Sequence, residues 1–154
     1  MQVRFHKGKD GKYTITWMRG NQASEFFRAS EFFVFHDLTH YAVETTFGMK
    51  NAFYGLMARG WEIDDFGRKD PETGKTRPLL LEAGQAEMIV SLIQLERSGS
   101  LSPDDTLMLV REQLAGSMVI TEDHLATIRA TYQSLITQWN ALPLNGSLEL
   151  TFDA

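Results

Sequence analysis

The sequence predicts an α+β fold: a small antiparallel sheet, made of an N-terminal hairpin and a C-terminal strand, packed against several α-helices. Three observations carry this. Apolar residues alternate with polar ones on both sides of an Asp10-Gly11 turn. The same alternation returns at the C-terminus. Between the two, apolar residues recur at helical spacing.

Val3 and Phe5 alternate with Gln2, Arg4 and His6, and Tyr13, Ile15 and Trp17 alternate with Lys12, Thr14 and Thr16. Period-two patterning around Asp-Gly is a hairpin signal. Two strands alone are marginal, so Leu148, Leu150 and Phe152 supply a third. Antiparallel strands are predicted near 2–7, 12–18 and 147–152, with Phe5, Ile15, Trp17, Leu148 and Phe152 facing helices.

Everything between reads as helix. A helix carries His36 to Glu44 and ends at Thr46-Phe47-Gly48. Asn51 can cap a short one holding Phe53, Leu56 and Met57, closed by Gly60. A longer helix runs about 82–97, with Met88, Leu92 and Leu95 inward. Ser102-Pro103-Asp104-Asp105 opens another, with an N-cap, a proline at the first position and acids behind it; Leu107, Val110 and Leu114 form its stripe. Thr121 caps the clearest helix, whose Leu125, Ile128, Tyr132, Leu135, Ile136 and Trp139 are expected to pack on the sheet. Residues 64–78 form a long polar connection. Such loops are lids or solvated tethers, and mixed charge favours the tether.

Length and composition set the outer bounds. A chain of 154 residues reads as one domain, 1–154. With no cysteine, disulfides, thiolate metal sites and Cys nucleophiles are excluded. The net charge of −5 argues against nucleic acid. Residues 1–77 hold 12 basic and 10 acidic residues, whereas 78–154 hold 3 and 10, so the second half would repel phosphate and anionic lipid alike. No apolar stretch approaches a membrane span and no leader is visible, so the cytoplasm is the expected location. There is no P-loop, no nucleophile elbow and no dinucleotide fingerprint.

One segment carries chemistry: Phe35-His36-Asp37-Leu38-Thr39-His40-Tyr41-Ala42-Val43-Glu44. His36, His40 and Glu44 are spaced by four. Each such step advances roughly 6 Å along a helix and turns roughly 40°, so neighbours in the row can touch while the outer pair lies roughly 12 Å apart. Eight of ten phenylalanines fall between Phe26 and Phe66, which places this helix in apolar surroundings. Imidazoles and carboxylates buried there need partners.

Two readings follow. In the first, the row is a structural or ligand-contacting polar cluster in a non-catalytic binding domain: Asp37 caps the helix start, His40 pairs with Glu44, and His36 bonds to backbone. In the alternative, the protein binds zinc or another divalent metal, with a metal-dependent hydrolase as one form of it. His36 and His40 at i, i+4 are then ligands, Glu44 is a third ligand, and Asp37 or Glu44 serves as catalytic carboxylate. His6, His124, Glu62, Asp64 and Asp65 are further ligand candidates. Tyr54 and Trp61 read as core before they read as pocket. A small-molecule or protein partner is expected without its identity, and oligomeric state is open.

His36-Asp37-Leu38, His40-Tyr41 and Val43-Glu44, followed by Phe53-Tyr54-Gly55 and Gly60-Trp61, resemble a small bacterial family built on an H-D-L-x-H-Y-x-V-E core. Trp139, Leu142-Pro143, Asn145-Gly146 and Leu148-Glu149-Leu150 are similar too. Val34-Phe35 stands where relatives commonly carry a proline. The resemblance implies a soluble bacterial protein and transfers no activity.

Overall fold

The computed structural model describes residues 1–28, 30–68, 71–74 and 80–153. Its strands are β1 (Gln2–Lys7), β2 (Tyr13–Arg19), β3 (Gln22–Arg28) and β4 (Ser147–Thr151). Its helices are α1 (Glu31–Phe47), α2 (Phe53–Ala58), α3 (Leu81–Arg97), α4 (Pro103–Gln113) and α5 (Glu122–Ala141). The α+β architecture is as the sequence predicts.

The sheet is antiparallel, in the order β3-β2-β1-β4. Asp10 and Gly11 turn the first hairpin with positive φ of 56° and 69°. In register, Phe5 lies between Ile15 and Leu148, and Val3 between Trp17 and Leu150. Phe5, Ile15, Trp17, Leu148 and Phe152 are all buried. The opposite face carries polar pairs, among them Arg4 with Glu149 at 2.8 Å.

The sheet has one strand more than predicted. Arg19 pairs with Gln22 across Gly20-Asn21, and β3 continues to Arg28. Glycine followed by asparagine is itself a two-residue hairpin signal. The strand it opens is an edge: Phe27 is 68% exposed, while Ser24, Phe26 and Arg28 alternate inward. This inward register delivers Arg28 to the helices.

Helix α1 runs between two cores. On its sheet side, Val34 and Leu38 join Val3, Phe5, Ile15, Trp17, Tyr54, Met57, Leu135 and Trp139. On the other, Ala42 and Val43 join Ile89, Val90 and Ile93 of α3, Val110 of α4, and Leu125 and Ile128 of α5. The α5 stripe is therefore divided. Only its C-terminal part packs on the sheet, because α1 crosses beneath its N-terminal part. Within α3 the inward positions are Ala83, Ala86, Ile89, Val90 and Ile93, not the predicted set: Met88 and Leu92 are half-buried and Leu95 is exposed.

The cap signals hold at α4 and α5. Ser102 Oγ accepts from Asp105 N, and Thr121 and His124 cap each other reciprocally. Helix α1 starts at Glu31 after Ser30, so Asp37 lies well inside it and caps nothing. Helix α2 has Ala52, not Asn51, at its N-cap position. The connection at 64–78 lies partly outside the described residues. Its described start holds a 3-10 turn, Ile63–Asp65, followed by Phe66.

Candidate metal centre and its pocket

The His36–His40–Glu44 row lies on α1, as the spacing predicts, but its members face different neighbours. The rings of His36 and His40 meet edge to face, with centroids 4.8 Å apart. His40 is buried and uses both nitrogens. Nδ1 lies 3.2 Å from Glu44 Oε1, and Nε2 lies 3.2 Å from Glu87 Oε1 of α3. His36 Nδ1 lies 3.3 Å from Gln94 Oε1, two turns beyond Glu87 on the same face of α3.

His36, His40 and Glu87 each offer a donor atom, and these atoms lie within 4.8 Å of one another. That separation fits three ligands around one ion. Glu44 stands behind His40, fully buried. Its Oε1 accepts a hydrogen bond from His40 Nδ1, and its Oε2 accepts from Tyr54 N at 2.8 Å and Gly55 N at 3.2 Å. Ala52 has no side chain to cap α2, so Glu44 caps that helix from α1.

Asp37 is equally committed. Arg28 grips it with two bonds, Nε to Oδ2 at 2.7 Å and Nη2 to Oδ1 at 2.9 Å. Tyr54, fully buried, donates to the Asp37 carbonyl at 3.1 Å. The remaining sequence candidates lie elsewhere. His6 bonds Ser147, His124 caps α5, Glu62 holds Arg19 and Ser24, and Asp65 caps its own turn with Glu62. Asp64 is outside the group as well.

The electrostatics follow from burial and these contacts. Burial alone would lower the His40 pKa, but the bonds from Glu44 and Glu87 outweigh it and push the imidazole up to about 9. His36 is pulled down, first by burial and then by the His40 charge. Burial lifts Asp37 to about 6 against the Arg28 guanidinium. It also raises Glu44, against the donors around it. Glu87 is drawn down by its bond to His40.

The triad opens onto a cavity of about 500 Å³. Phe32, Phe33, Phe53, Ile63 and Phe66 form apolar walls, and Arg28, Asp37, Glu87 and Gln94 supply polar groups. Tyr54 is core, as expected, while Phe53 beside it lines the cavity. No sequence signal singles out Glu87. It is one of ten acids in the second half, and only the α1–α3 packing brings it to His40.

Among the described residues, no helix is long and apolar enough to cross a membrane. No family model, curated protein or solved structure matches the chain.

Proposed function

We propose that the protein binds a divalent metal ion through His36, His40 and Glu87, and that the ion serves a small molecule held in the adjoining cavity. The observation that carries this is the division of labour around His40. One nitrogen is fixed by the buried Glu44, and the other points at Glu87 beside His36. A metal-bound imidazole is normally held by such a partner on its second nitrogen. His36 has the same support from Gln94. Two imidazoles and one carboxylate suit zinc or a non-haem divalent metal and leave positions for solvent or ligand.

Charge supports the reading. Without an ion, two carboxylates hold a proton on His40. A divalent ion in its place would satisfy Glu87 directly and leave Glu44 to accept the Nδ1 hydrogen. When bound, such an ion supplies Lewis acidity and lowers the pKa of its water. The internal polar staple is also present, and Asp37 and Glu44 perform it. The H-D-L-x-H-Y-x-V-E resemblance supports a soluble bacterial protein.

The test is calorimetric titration of chelator-treated protein with zinc at pH 7.5. The expectation is one ion per chain, with stoichiometric uptake lost in His36→Ala, His40→Ala and Glu87→Gln. A wild-type protein that takes up no zinc, or triad variants that all still do, would overturn the proposal.

A further inference from the structure

The cavity beside the triad has a chemical bias that identifies what it takes. Its walls are four phenylalanines and an isoleucine. Two of them, Phe32 and Phe33, stay 57% and 41% exposed at neighbouring positions of α1, where they cover no core. Their rings meet edge to face at 5.5 Å, and Phe53 and Phe66 meet at 5.1 Å. Apolar surface left open inside a concave site is what a small apolar ligand would cover.

Among the described residues, the cavity holds one cation placed for recognition. Arg28 spends Nε and Nη2 on Asp37 and is flanked by the rings of Phe26 at 4.9 Å and Phe33 at 6.0 Å. Its Nη1 has no protein partner among the described residues. Asp37 is only 3% exposed, so it anchors the guanidinium from behind. A guanidinium fixed on one edge and free on the other binds a carboxylate with little loss of side-chain entropy. With a divalent ion on the triad, Arg28 and the ion would be two cationic groups at one cavity, each with a position open to an anionic oxygen.

We infer that the pocket takes a small aryl or comparably apolar carboxylate, its acid group set between Arg28 Nη1 and the metal and its apolar body among Phe32, Phe33, Phe53 and Phe66. This rests on the proposed metal site, which supplies the second contact to the acid.

The test uses zinc-loaded protein titrated with 3-phenylpropionate and with its uncharged amide. The acid is expected to bind at least tenfold tighter than the amide, and at least tenfold tighter with zinc than without. The paired variant Arg28→Gln with Asp37→Asn removes both charges without stranding either. It should lose tenfold or more for the acid and little for the amide. Phe33→Ala should weaken both. Equal affinity for acid and amide in zinc-loaded wild-type protein would overturn the inference, as would acid binding indifferent to zinc. Should the paired variant fail to fold or lose zinc, the acid-to-amide ratio in the wild type decides alone. Zinc uptake is read separately. No uptake overturns both proposals, whereas uptake without acid discrimination overturns this one only.

Discussion

Glu44 lies 3.2 Å from the Nδ1 of His40, on the side of the imidazole turned away from the cavity. The spacing of four that suggests a third ligand thus places this carboxylate behind the second one. From there it also receives the first free amides of α2. One side chain therefore couples the candidate metal centre to the docking of a helix.

Removing that side chain should be costly. Glu44→Ala leaves His40 Nδ1 and two buried amides without an acceptor, and the loss of one partner from such a group costs about 3–5 kcal/mol. Glu44→Gln keeps an acceptor and should lose less, about 1–3 kcal/mol. Urea denaturation measures both. A Glu44→Ala protein within half a kcal/mol of wild type would show that the contacts carry no net stability.

Gly55 presents a second route to the same joint. A Cβ there would lie 2.5 Å from the carbonyl carbon and oxygen of Lys50. Backbone cannot yield as a side chain can, so Gly55→Ala must shift α2 against the Lys50 segment that leads into it. The expected cost is about 1–3 kcal/mol, together with weaker zinc binding, since the amide that steadies Glu44 moves. Unchanged stability and unchanged zinc affinity would refute the coupling.

The pH dependence of the metal-free protein has a readable sign. His40 is raised in the folded state to about 9, above its ordinary 6.5. The folded protein thus holds this proton more tightly than the unfolded chain does. The stability it contributes is full below about pH 6.5 and is lost as pH rises through about 9. The shift corresponds to roughly 3 kcal/mol. Asp37, raised to about 6, and the lowered His36 act below this window. Denaturation in chelator should show stability falling from pH 6.5 to 9.5, and His40→Ala should flatten that fall. Saturating zinc should do so too, because the ion takes the place of the proton. A flat wild-type profile in chelator would contradict the His40 environment.

Much of the fold was legible in the sequence because it is written locally. Alternation marks β1, β2 and β4, and Ser102 and Thr121 mark two helix starts. The division of the α5 stripe was not legible, since Leu125 and Leu135 have identical chemistry and differ only in what α1 brings against them. Leu135→Ala should cost about 2–5 kcal/mol at this 5% exposed position, as read by denaturant midpoint. The strand β3 was signalled by Gly20-Asn21, yet its Phe26-Phe27 pair resembles the aromatic run of α1 that follows. At the site, the helical spacing revealed His36 and His40. It could not reveal Glu87, Gln94 or Arg28, which arrive from other elements through tertiary packing alone.

Gln94 provides the sharpest separation between a metal site and a purely structural cluster. Its Oε1 accepts from His36 Nδ1, which leaves Nε2 of His36 with its lone pair for an ion. Its own Nε2 is buried without a partner, so the amide contributes little to the stability of the fold beyond this contact. Gln94→Leu keeps most of the volume and removes both the acceptor and the unpaired donor. Folding stability should change by about 1 kcal/mol or less, because the two effects oppose each other. Zinc affinity should nevertheless fall about 10–100-fold, the usual consequence of losing the group that orients a ligating histidine. Gln94→Glu should restore or exceed wild-type affinity, since a carboxylate makes His36 a stronger donor. Paired zinc titration and urea denaturation of the two variants read these effects independently. Equal zinc affinity in wild type, Gln94→Leu and Gln94→Glu would mean that His36 does not ligate through an oriented ring.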